Sequence, residues 1–265
     1  MTGTKPNWTS LESYELRSGR WSRKIAREFL AWLRVDEDRE WLDVGCGSGA
    51  LLQAILEKKR PKRVVGCDRS EDGLAAARIA FGARAELVRA SCDSMPFPDG
   101  DFDAVVSGLL LNLLTHPDRA MTEMVRVIRT GGLIAAYVWD FGDGMQMMRR
   151  FWDAAIAIDA RAVERDQAKK FTITNERSLT AVFERSGIES IHASAFEVPT
   201  VFRDFDDFWE PLVSGEGSIP NYAKSLEPEK LRAVRERLVN LLPRCSDGSI
   251  PLVARAWAVR GRAPS

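Results

Sequence analysis

The stretch that decides the fold is Trp41-Leu42-Asp43-Val44-Gly45-Cys46-Gly47-Ser48-Gly49. An apolar run ends there in three alternating glycines, and the apolar residues from Ala50 onward predict a helix. Glycine adopts backbone conformations closed to other residues, and without a Cβ it lets a ligand lie against the main chain. Because the first N–H groups of the helix point back into the turn, the stretch predicts a strand, a ligand-binding turn and a helix.

The residue that precedes the glycines distinguishes between cofactors. The spacing Gly45-x-Gly47-x-x-Ala50 also satisfies the fingerprint of nicotinamide and flavin enzymes. Such a dinucleotide places its pyrophosphate at the helix N-terminus, where the nearby carboxylate of Asp43 would repel it. A carboxylate suits a ligand with a cationic amino or sulfonium end. The sequence therefore predicts S-adenosylmethionine as the cofactor, with a nicotinamide-dependent oxidoreductase as the alternative.

A second apolar run also ends in an acid. It reads Arg63-Val64-Val65-Gly66-Cys67-Asp68 and follows the glycine turn at the spacing of a strand-helix-strand unit. An acid at this point accepts hydrogen bonds from the two ribose hydroxyls of a bound nucleoside. Asp68 could instead cap the helix that begins near Ser70. The upstream glycines favour the ribose role.

Two further motifs follow in order. The first is Met95-Pro96-Phe97-Pro98-Asp99-Gly100-Asp101-Phe102-Asp103-Ala104-Val105-Val106, and the second is Glu123-Met124-Val125-Arg126-Val127-Ile128-Arg129-Thr130-Gly131-Gly132. With the two earlier runs, they make residues 38 to 140 resemble the class I S-adenosylmethionine-dependent methyltransferases, in particular the ubiquinone and menaquinone biosynthesis branch. The resemblance implies a doubly wound α/β fold of the Rossmann-like methyltransferase type, with a seven-stranded, mostly parallel sheet.

The chain departs from the family pattern at the adenine site. Similar proteins follow the third strand with an acid and a small residue, whereas alignment on Met95-Pro96-Phe97 puts Ser91 at the acid position and Cys92 at the small one. Asp93 is displaced by two positions. Either the Ser91 hydroxyl or the Asp93 carboxylate could accept from adenine's amine. Arg69 stands where relatives carry an apolar residue against adenine, and it either stacks on the purine or lies in solvent.

The predicted cofactor set joins these positions to two others. Arg20, in Gly19-Arg20-Trp21-Ser22, matches a pattern of similar proteins and suits the donor's carboxylate, although it could simply start a helix. Ser107 lies in the predicted fourth strand. The complete set is Arg20, Asp43, Gly45, Cys46, Gly47, Gly49, Asp68, Arg69, Ser91, Cys92, Asp93 and Ser107.

Composition limits the partners. The chain has 265 residues, and its 38 basic residues equal its 38 acidic ones without a dense basic run, which argues against a nucleic-acid substrate. An apolar signal segment is absent at the N-terminus and the longest apolar stretches are too short for a bilayer, so we expect a cytoplasmic protein without membrane contact. The four cysteines lack the spacing of a disulfide frame or a metal site. The oligomeric state stays open.

Strands and helices alternate regularly as far as about residue 139, which predicts a parallel sheet covered on both faces. We predict a single domain over residues 1–265, with an N-terminal cap at 1–34 and a cofactor-binding core at 38–140. Residues 140–177 and 199–248 read as helical lid insertions around strands at about 188–198 and 250–259. If these last strands form an antiparallel hairpin, both insertions emerge beyond the carboxyl ends of the strands and could cover an acceptor pocket.

Methyl transfer is an in-line displacement at a carbon already activated by a sulfonium, so aligning the acceptor and excluding water could suffice. Three residues are candidates for a direct role. Asn112 could orient an acceptor hydroxyl or amine, or satisfy local backbone groups. Asp140 after the fifth strand could accept a proton, or anchor a lid or turn, and His116 could act as a base or simply enter a helix. We expect a small-molecule acceptor. A protein that binds the cofactor without turnover is a further alternative.

Overall fold

Seven strands form one sheet in the computed structural model, which describes residues 19–215 and 217–264. The sheet order is β3-β2-β1-β4-β5-β7-β6. The strands are β1 (Glu40–Val44), β2 (Arg63–Asp68), β3 (Glu86–Arg89), β4 (Phe102–Gly108), β5 (Ile128–Trp139), β6 (Glu189–Phe202) and β7 (Ile250–Arg262).

Helices connect these strands, and two of them begin at or next to the predicted positions, at Ala50 and at Glu71. In the described ranges they are α1 (Arg20–Leu33), α2 (Ala50–Lys58), α3 (Glu71–Phe81), α4 (Pro117–Val127), α5 (Gln146–Ile158), α6 (Gln167–Lys170), α7 (Glu176–Arg185), α8 (Phe205–Val213), α9 (Ser218–Ser225) and α10 (Pro228–Leu241). Short 3-10 turns cover Gly82–Arg84, Leu111–Leu113 and Ala160–Arg165.

The strand order reverses at β1, and this reversal determines where a ligand can bind. β1 pairs in parallel with both β2 and β4, and β4 pairs in parallel with β5. Helices α2 and α4 therefore leave from neighbouring strands in opposite directions, which opens a crevice beyond the carboxyl ends of β1 and β4. Trp41, Leu42 and Val44 of β1 are fully buried, as expected for a central strand covered on both faces.

The predicted seven-stranded, mostly parallel sheet is confirmed, and β7 runs antiparallel to β5. β5, β6 and β7 are longer than predicted, and β7 reaches Arg262 rather than about residue 259. β5 begins at Ile128, which pairs with Phe102 before an irregular stretch that contains Gly131 at φ 69°, and the sequence shows this stretch only as a turn. β6 continues past Pro199 to Phe202, because an edge strand tolerates a proline that cannot donate to a neighbour.

The chain divides into two compact units. The sheet unit comprises Ser22–Trp139, Ile173–Phe196 and Ala256–Ser265, and the helical unit comprises Asp140–Thr172 and Glu197–Arg255 with the segment that ends at Trp21. The predicted insertions 140–177 and 199–248 belong largely to the helical unit. Their assignment as lids of a single domain stays a prediction.

The helical unit has an aromatic core of its own. The rings of Phe151 and Trp152 meet edge to face at 5.4 Å, and Tyr222 lies 5.4 Å from Trp152. The indole N–H of Trp152 donates to Gln167 Oε1 at 2.5 Å. Such buried, partnered rings stabilise the unit itself. No helix among the described residues is long and apolar enough to cross a membrane.

Candidate active site

The glycine turn after β1 is closed at its two ends and open in the middle. Gly45, Gly47 and Gly49 have φ values of 75°, 52° and 92°. A Cβ on Gly49 would lie 2.2 Å from Phe81 Cε2, and one on Gly45 would lie 2.7 Å from Leu110 Cδ2. A Cβ on Gly47 would meet nothing within 4 Å. The turn is thus held tightly by its flanks while Gly47 faces space that a ligand can fill.

Backbone hydrogen bonds fix the turn to the end of β2. The N–H groups of Gly45 and Cys46 both donate to the carbonyl of Cys67, at 2.8 and 3.1 Å. The N–H of Gly49 donates to the Cys46 carbonyl at 2.8 Å and closes the turn. Cys46 and Cys67 are buried thiols at these junctions, and all four cysteines are free. Cys46 therefore contributes its backbone to the predicted cofactor site.

Asp43 is a buried carboxylate without a partner. Its side chain is 1% exposed, and neither oxygen has a hydrogen-bond partner among the described residues. Burial raises the pKa of this carboxyl to about 8, and the negative charge of Asp68 adds to the effect, whereas the backbone N–H of Leu52, which does not reach hydrogen-bond geometry, opposes it. A buried acceptor left unsatisfied costs free energy. A ligand that brings a cationic donor would remove that cost, so the residues present fit the ammonium of S-adenosylmethionine.

Asp43 should make the stability of the ligand-free protein fall as the pH rises. Its pKa is raised above the value of about 4 in an unfolded chain, so the folded state binds a proton that the unfolded state releases. Stability is then lost as the pH rises toward about 8. We expect a loss of up to about 1.4 kcal/mol in unfolding free energy between pH 6 and 7 from this group. Urea denaturation at both pH values measures it. Asp43→Asn should lack this component, and an unchanged slope in the variant contradicts the assignment.

Asp68 connects β2 to the glycine turn. Its Oδ2 accepts from the Gly47 N–H at 2.9 Å, and its Oδ1 accepts from the Ser70 N–H at 2.8 Å. The side-chain cap of α3 comes from Ser70, whose hydroxyl accepts from the Gly73 N–H at 3.3 Å. Each carboxylate oxygen of Asp68 retains a free lone pair for a ribose hydroxyl. Its ribose role stays a prediction that this geometry supports.

The substituted adenine site holds a paired hydroxyl and carboxylate. Ser91 Oγ donates to Asp93 Oδ1 at 2.5 Å, and both residues are exposed. Cys92 between them is half-buried, and burial raises the pKa of its thiol, as does the charge of Asp93, whereas the charge of Arg69 lowers it. Because the Ser91 hydroxyl already donates a hydrogen bond to Asp93, the charged carboxylate is the stronger acceptor for the amine of adenine.

The order of two variants tests this pairing. Asp93→Asn should weaken binding of S-adenosylmethionine about 10-fold, since it removes a charged acceptor, whereas Ser91→Ala should weaken it about 3-fold. Calorimetric titration of both variants gives the comparison. Asp72→Asn, an exposed acid on α3, serves as the control for lost charge. A larger effect of Ser91→Ala would assign adenine to the hydroxyl instead.

Ser107 near the end of β4 and Asn112 shortly after it differ in their hydrogen bonds. Ser107 is buried, and its hydroxyl donates to the Val44 carbonyl at 2.9 Å, which fastens β4 to the strand before the glycine turn. Asn112 lies in the 3-10 turn Leu111–Leu113, is 3% exposed, and its Oδ1 lacks a hydrogen-bond partner among the described residues. Asn112 therefore has an unused acceptor, whereas the hydroxyl proton of Ser107 is already engaged.

The backbone between these two residues is strained. Leu109 has a φ of 60°, a left-handed conformation that is uncommon for a residue with a side chain, and its N–H donates to the Tyr137 carbonyl at 2.8 Å. A Cβ on Gly108 would lie 2.6 Å from the Tyr137 hydroxyl. Such strain of about 1–3 kcal/mol is typical of functional sites. Sequence reasoning did not single out Leu109 or Tyr137, because no local signal marks them.

The other candidate residues have different surroundings. His116 is exposed immediately before α4, and its side chain makes no cap. Asp140 belongs to the helical unit, where its Oδ1 accepts from the N–H groups of Gly142 and Asp143 at 3.0 and 3.1 Å and its Oδ2 accepts from Arg255 at 2.7 Å. Arg20 is the first residue of α1, but its side chain lies outside the described part of the structure. The catalytic role of Asp140 stays a prediction beside its evident role in the turn.

Several known proteins that are similar to this chain are named as methyltransferases. Residues 42–136 match the profile of a family described as a methyltransferase domain. An uncharacterized methyltransferase from Schizosaccharomyces pombe is 26% identical over 201 residues, which cover 74% of this chain and 76% of that protein. A malonyl-[acyl-carrier protein] O-methyltransferase from Geobacter sulfurreducens is 34% identical over 175 residues, which cover 64% of this chain and 63% of that protein.

A solved structure shares the fold. It is a phosphoethanolamine N-methyltransferase 2 from Haemonchus contortus in complex with phosphomonomethylethanolamine and S-adenosylhomocysteine. The TM-score is 0.59 at 15% identity, and the match covers 96% of this chain and 57% of that one. The range that matches the family profile, residues 42–136, contains Asp43, the glycine turn, Asp68 and Asn112.

Proposed function

We propose that this chain, which belongs to the class I S-adenosylmethionine-dependent methyltransferases, transfers the methyl group of its cofactor to a small organic molecule. The family expected from the sequence motifs and the cofactor are confirmed. The acceptor is the proposed part. Methyl transfer itself rests on two observations at the cofactor site, the unpartnered Asp43 carboxylate and the open space at Gly47.

The cofactor supplies a methyl group activated by its sulfonium. In the proposed site Asp43 binds the ammonium, the backbone of the glycine turn lies against the ligand, and Asp68 accepts from the ribose hydroxyls. Asp93, with Ser91, accepts from the amine of adenine. These interactions come from the carboxyl ends of β1, β2 and β3, which neighbour one another in the sheet.

Charge and the relatives support a small acceptor. The formal net charge is zero, and nucleic-acid substrates require clustered basic residues. The names of similar proteins identify a malonyl group on a carrier protein and phosphomonomethylethanolamine as ligands of those proteins. Phosphomonomethylethanolamine is a small molecule, and the malonyl group is small although a protein carries it. We infer the same scale of acceptor here.

Alignment rather than proton removal is the proposed source of catalysis. Both oxygens of Asp140 accept hydrogen bonds, Oδ2 from Arg255, and His116 is exposed at a helix entry. Of the three candidates, Asn112 is the one whose buried acceptor has no described partner. An amide cannot act as a base at neutral pH, but its oxygen can orient a hydroxyl or amine.

Asn112→Ala should separate positioning from folding. We expect turnover to fall about 10-fold, the loss of one hydrogen bond of about 1.4 kcal/mol, while donor affinity stays within about 3-fold. Stability should not fall, because the variant removes a buried carbonyl that lacks a partner. Asn175→Ala is the matched control: it removes the cap of α7, so it should lose about 1 kcal/mol of stability at unchanged turnover. Unchanged turnover in Asn112→Ala would contradict the positioning role.

Transfer of a labelled methyl group tests the proposed function. The purified chain is incubated with methyl-labelled S-adenosylmethionine and panels of small carboxylic acids, hydroquinones and amines, and labelled products are separated. We expect label on at least one class. Label on protein or nucleic acid but on no small molecule would overturn the acceptor proposal. Cofactor binding without transfer to any acceptor would favour the alternative without turnover.

A further inference from the structure

A cleft of about 260 Å³ lies on the sheet unit, away from the cofactor site. Leu133 lines it and pairs with Arg262 in β7 and with Ala104 in β4, which in turn pairs with Trp41 near the start of β1. The cleft is therefore at the amino-terminal edge of the parallel strands, whereas Asp43 and the glycine turn lie at their carboxyl ends. It is independent of the methyl-transfer site.

Three arginines give the cleft its charge. Arg34, Arg260 and Arg262 line it with His192, and none of its lining side chains is acidic. Arg260 donates to the Trp32 carbonyl at 2.5 Å and lies 4.5 Å over the Trp32 ring, and Arg262 donates to the Gly131 carbonyl at 3.3 Å. A guanidinium has five N–H donors, so each retains several.

The positive charges in the cleft repel one another. Burial lowers the pKa of Arg260, and the charges of Arg34 and Arg262 lower it further. None of the three forms an ion pair with a carboxylate in the described ranges. Arg129, in contrast, contacts Glu40 at 2.6 Å and Asp103 at 2.7 Å. An anion in the cleft would remove this repulsion.

The backbone conformation of Arg34 also favours a bound anion in the cleft. Arg34 follows the last residue of α1 and has a φ of 50°. Helices commonly end on such a left-handed residue, but glycine is the usual one because a side chain costs about 1–2 kcal/mol there. Ser190, which also lines the cleft, has a φ of 51°. A helix end alone does not require arginine at this strained position. The Arg34 side chain is therefore available to bind a ligand in the cleft.

We propose that this cleft binds a small molecule that carries a phosphoryl group. The planar guanidinium fork matches two oxygens of a phosphate, and three cations suit a multiply charged anion better than a single carboxylate. Leu33 and Leu133 also line the cleft, but both are almost completely buried and offer a ligand little apolar contact. A cleft of about 260 Å³ suits a free small molecule rather than the flat surface of a membrane.

Titration with inorganic pyrophosphate tests the site. Calorimetry in about 150 mM NaCl, where exposed charges are screened, compares the wild-type protein with Arg34→Gly and Arg262→Gln. Both variants should bind pyrophosphate at least about 10-fold more weakly, a loss of about 1.4 kcal/mol. Arg34→Gly should also fold at least as well as the wild type, since it relieves the left-handed strain. Arg262→Gln provides a second variant that leaves this backbone unchanged.

The matched control is Arg60→Gly. Arg60 also has a positive φ, of 40°, but it pairs with Glu37 at 3.3 Å and does not line the cleft. It should bind pyrophosphate as the wild type does. Equal affinity in all variants, or no binding by the wild type, overturns the proposal. Sedimentation with phosphatidylcholine vesicles that contain phosphatidic acid, without binding of free pyrophosphate, would overturn the small-molecule source in favour of a lipid headgroup.

Discussion

Asp68→Ala should bind S-adenosylmethionine about 10- to 150-fold more weakly than the wild-type protein, a loss of about 1.5–3 kcal/mol. The variant removes the proposed acceptor of the ribose hydroxyls. It also removes the acceptor for the Gly47 N–H, so the open middle of the glycine turn loses its connection to β2. Both effects reduce binding at the same place. Isothermal titration calorimetry measures the change.

The control is Asp72→Ala. Asp72 is an exposed acid in the first turn of the helix that follows Asp68, so the net charge changes equally without loss of either hydrogen bond. Donor affinity should stay within about 2-fold of the wild type. If Asp68→Ala binds the cofactor as tightly as this control does, Asp68 has only a structural role.

Gly49→Ala should destabilise the fold by about 3 kcal/mol. The residue has a φ of 92°, which costs about 1–2 kcal/mol with a side chain, and the new Cβ would lie 2.2 Å from the Phe81 ring. Urea denaturation gives the free energy of unfolding. A loss below about 1 kcal/mol would show that Phe81 moves aside without cost.

Gly47→Ala is the matched comparison. Its Cβ would meet nothing within 4 Å in the described structure, so only the cost of a φ of 52° remains, about 1 kcal/mol. It should nevertheless weaken cofactor binding at least about 10-fold, because the methyl group enters the space assigned to the ligand. The two substitutions should thus have different main effects: Gly49→Ala mainly lowers the free energy of unfolding, and Gly47→Ala mainly lowers the affinity for the cofactor.

Local sequence patterns predict most of the sheet unit. Apolar runs that end in glycine or an acid mark β1 and β2, and the observed bounds Glu40–Val44 and Arg63–Asp68 lie within a residue of the predicted ones. The alternation of strands and helices fixes the parallel order through short right-handed crossovers. The positive φ values of Gly45, Gly47 and Gly49 follow from the residue type that the turn requires.

The side-chain environments could not be predicted in the same way, because they depend on residues distant in the sequence. Asp140 accepts from Arg255, which lies 115 positions later, and nothing near Asp140 indicates that partner. The left-handed Leu109 is fixed by β5 and not by its neighbours in sequence. Phe81 closes the space at Gly49 from the far end of α3. The sequence therefore predicts which residues reach the site but not which of their atoms remain available.

The cofactor assignment is tested most directly by equilibrium binding of S-adenosylmethionine and NAD⁺ to the wild-type protein and to Asp43→Asn, measured by calorimetry in one buffer. We expect the wild type to bind S-adenosylmethionine at least about 100-fold more tightly than NAD⁺. We also expect Asp43→Asn to lose at least about 10-fold in affinity for S-adenosylmethionine, because the carboxylate that binds the ammonium is absent. Comparable binding of NAD⁺, or unchanged affinity in Asp43→Asn, would contradict the assignment.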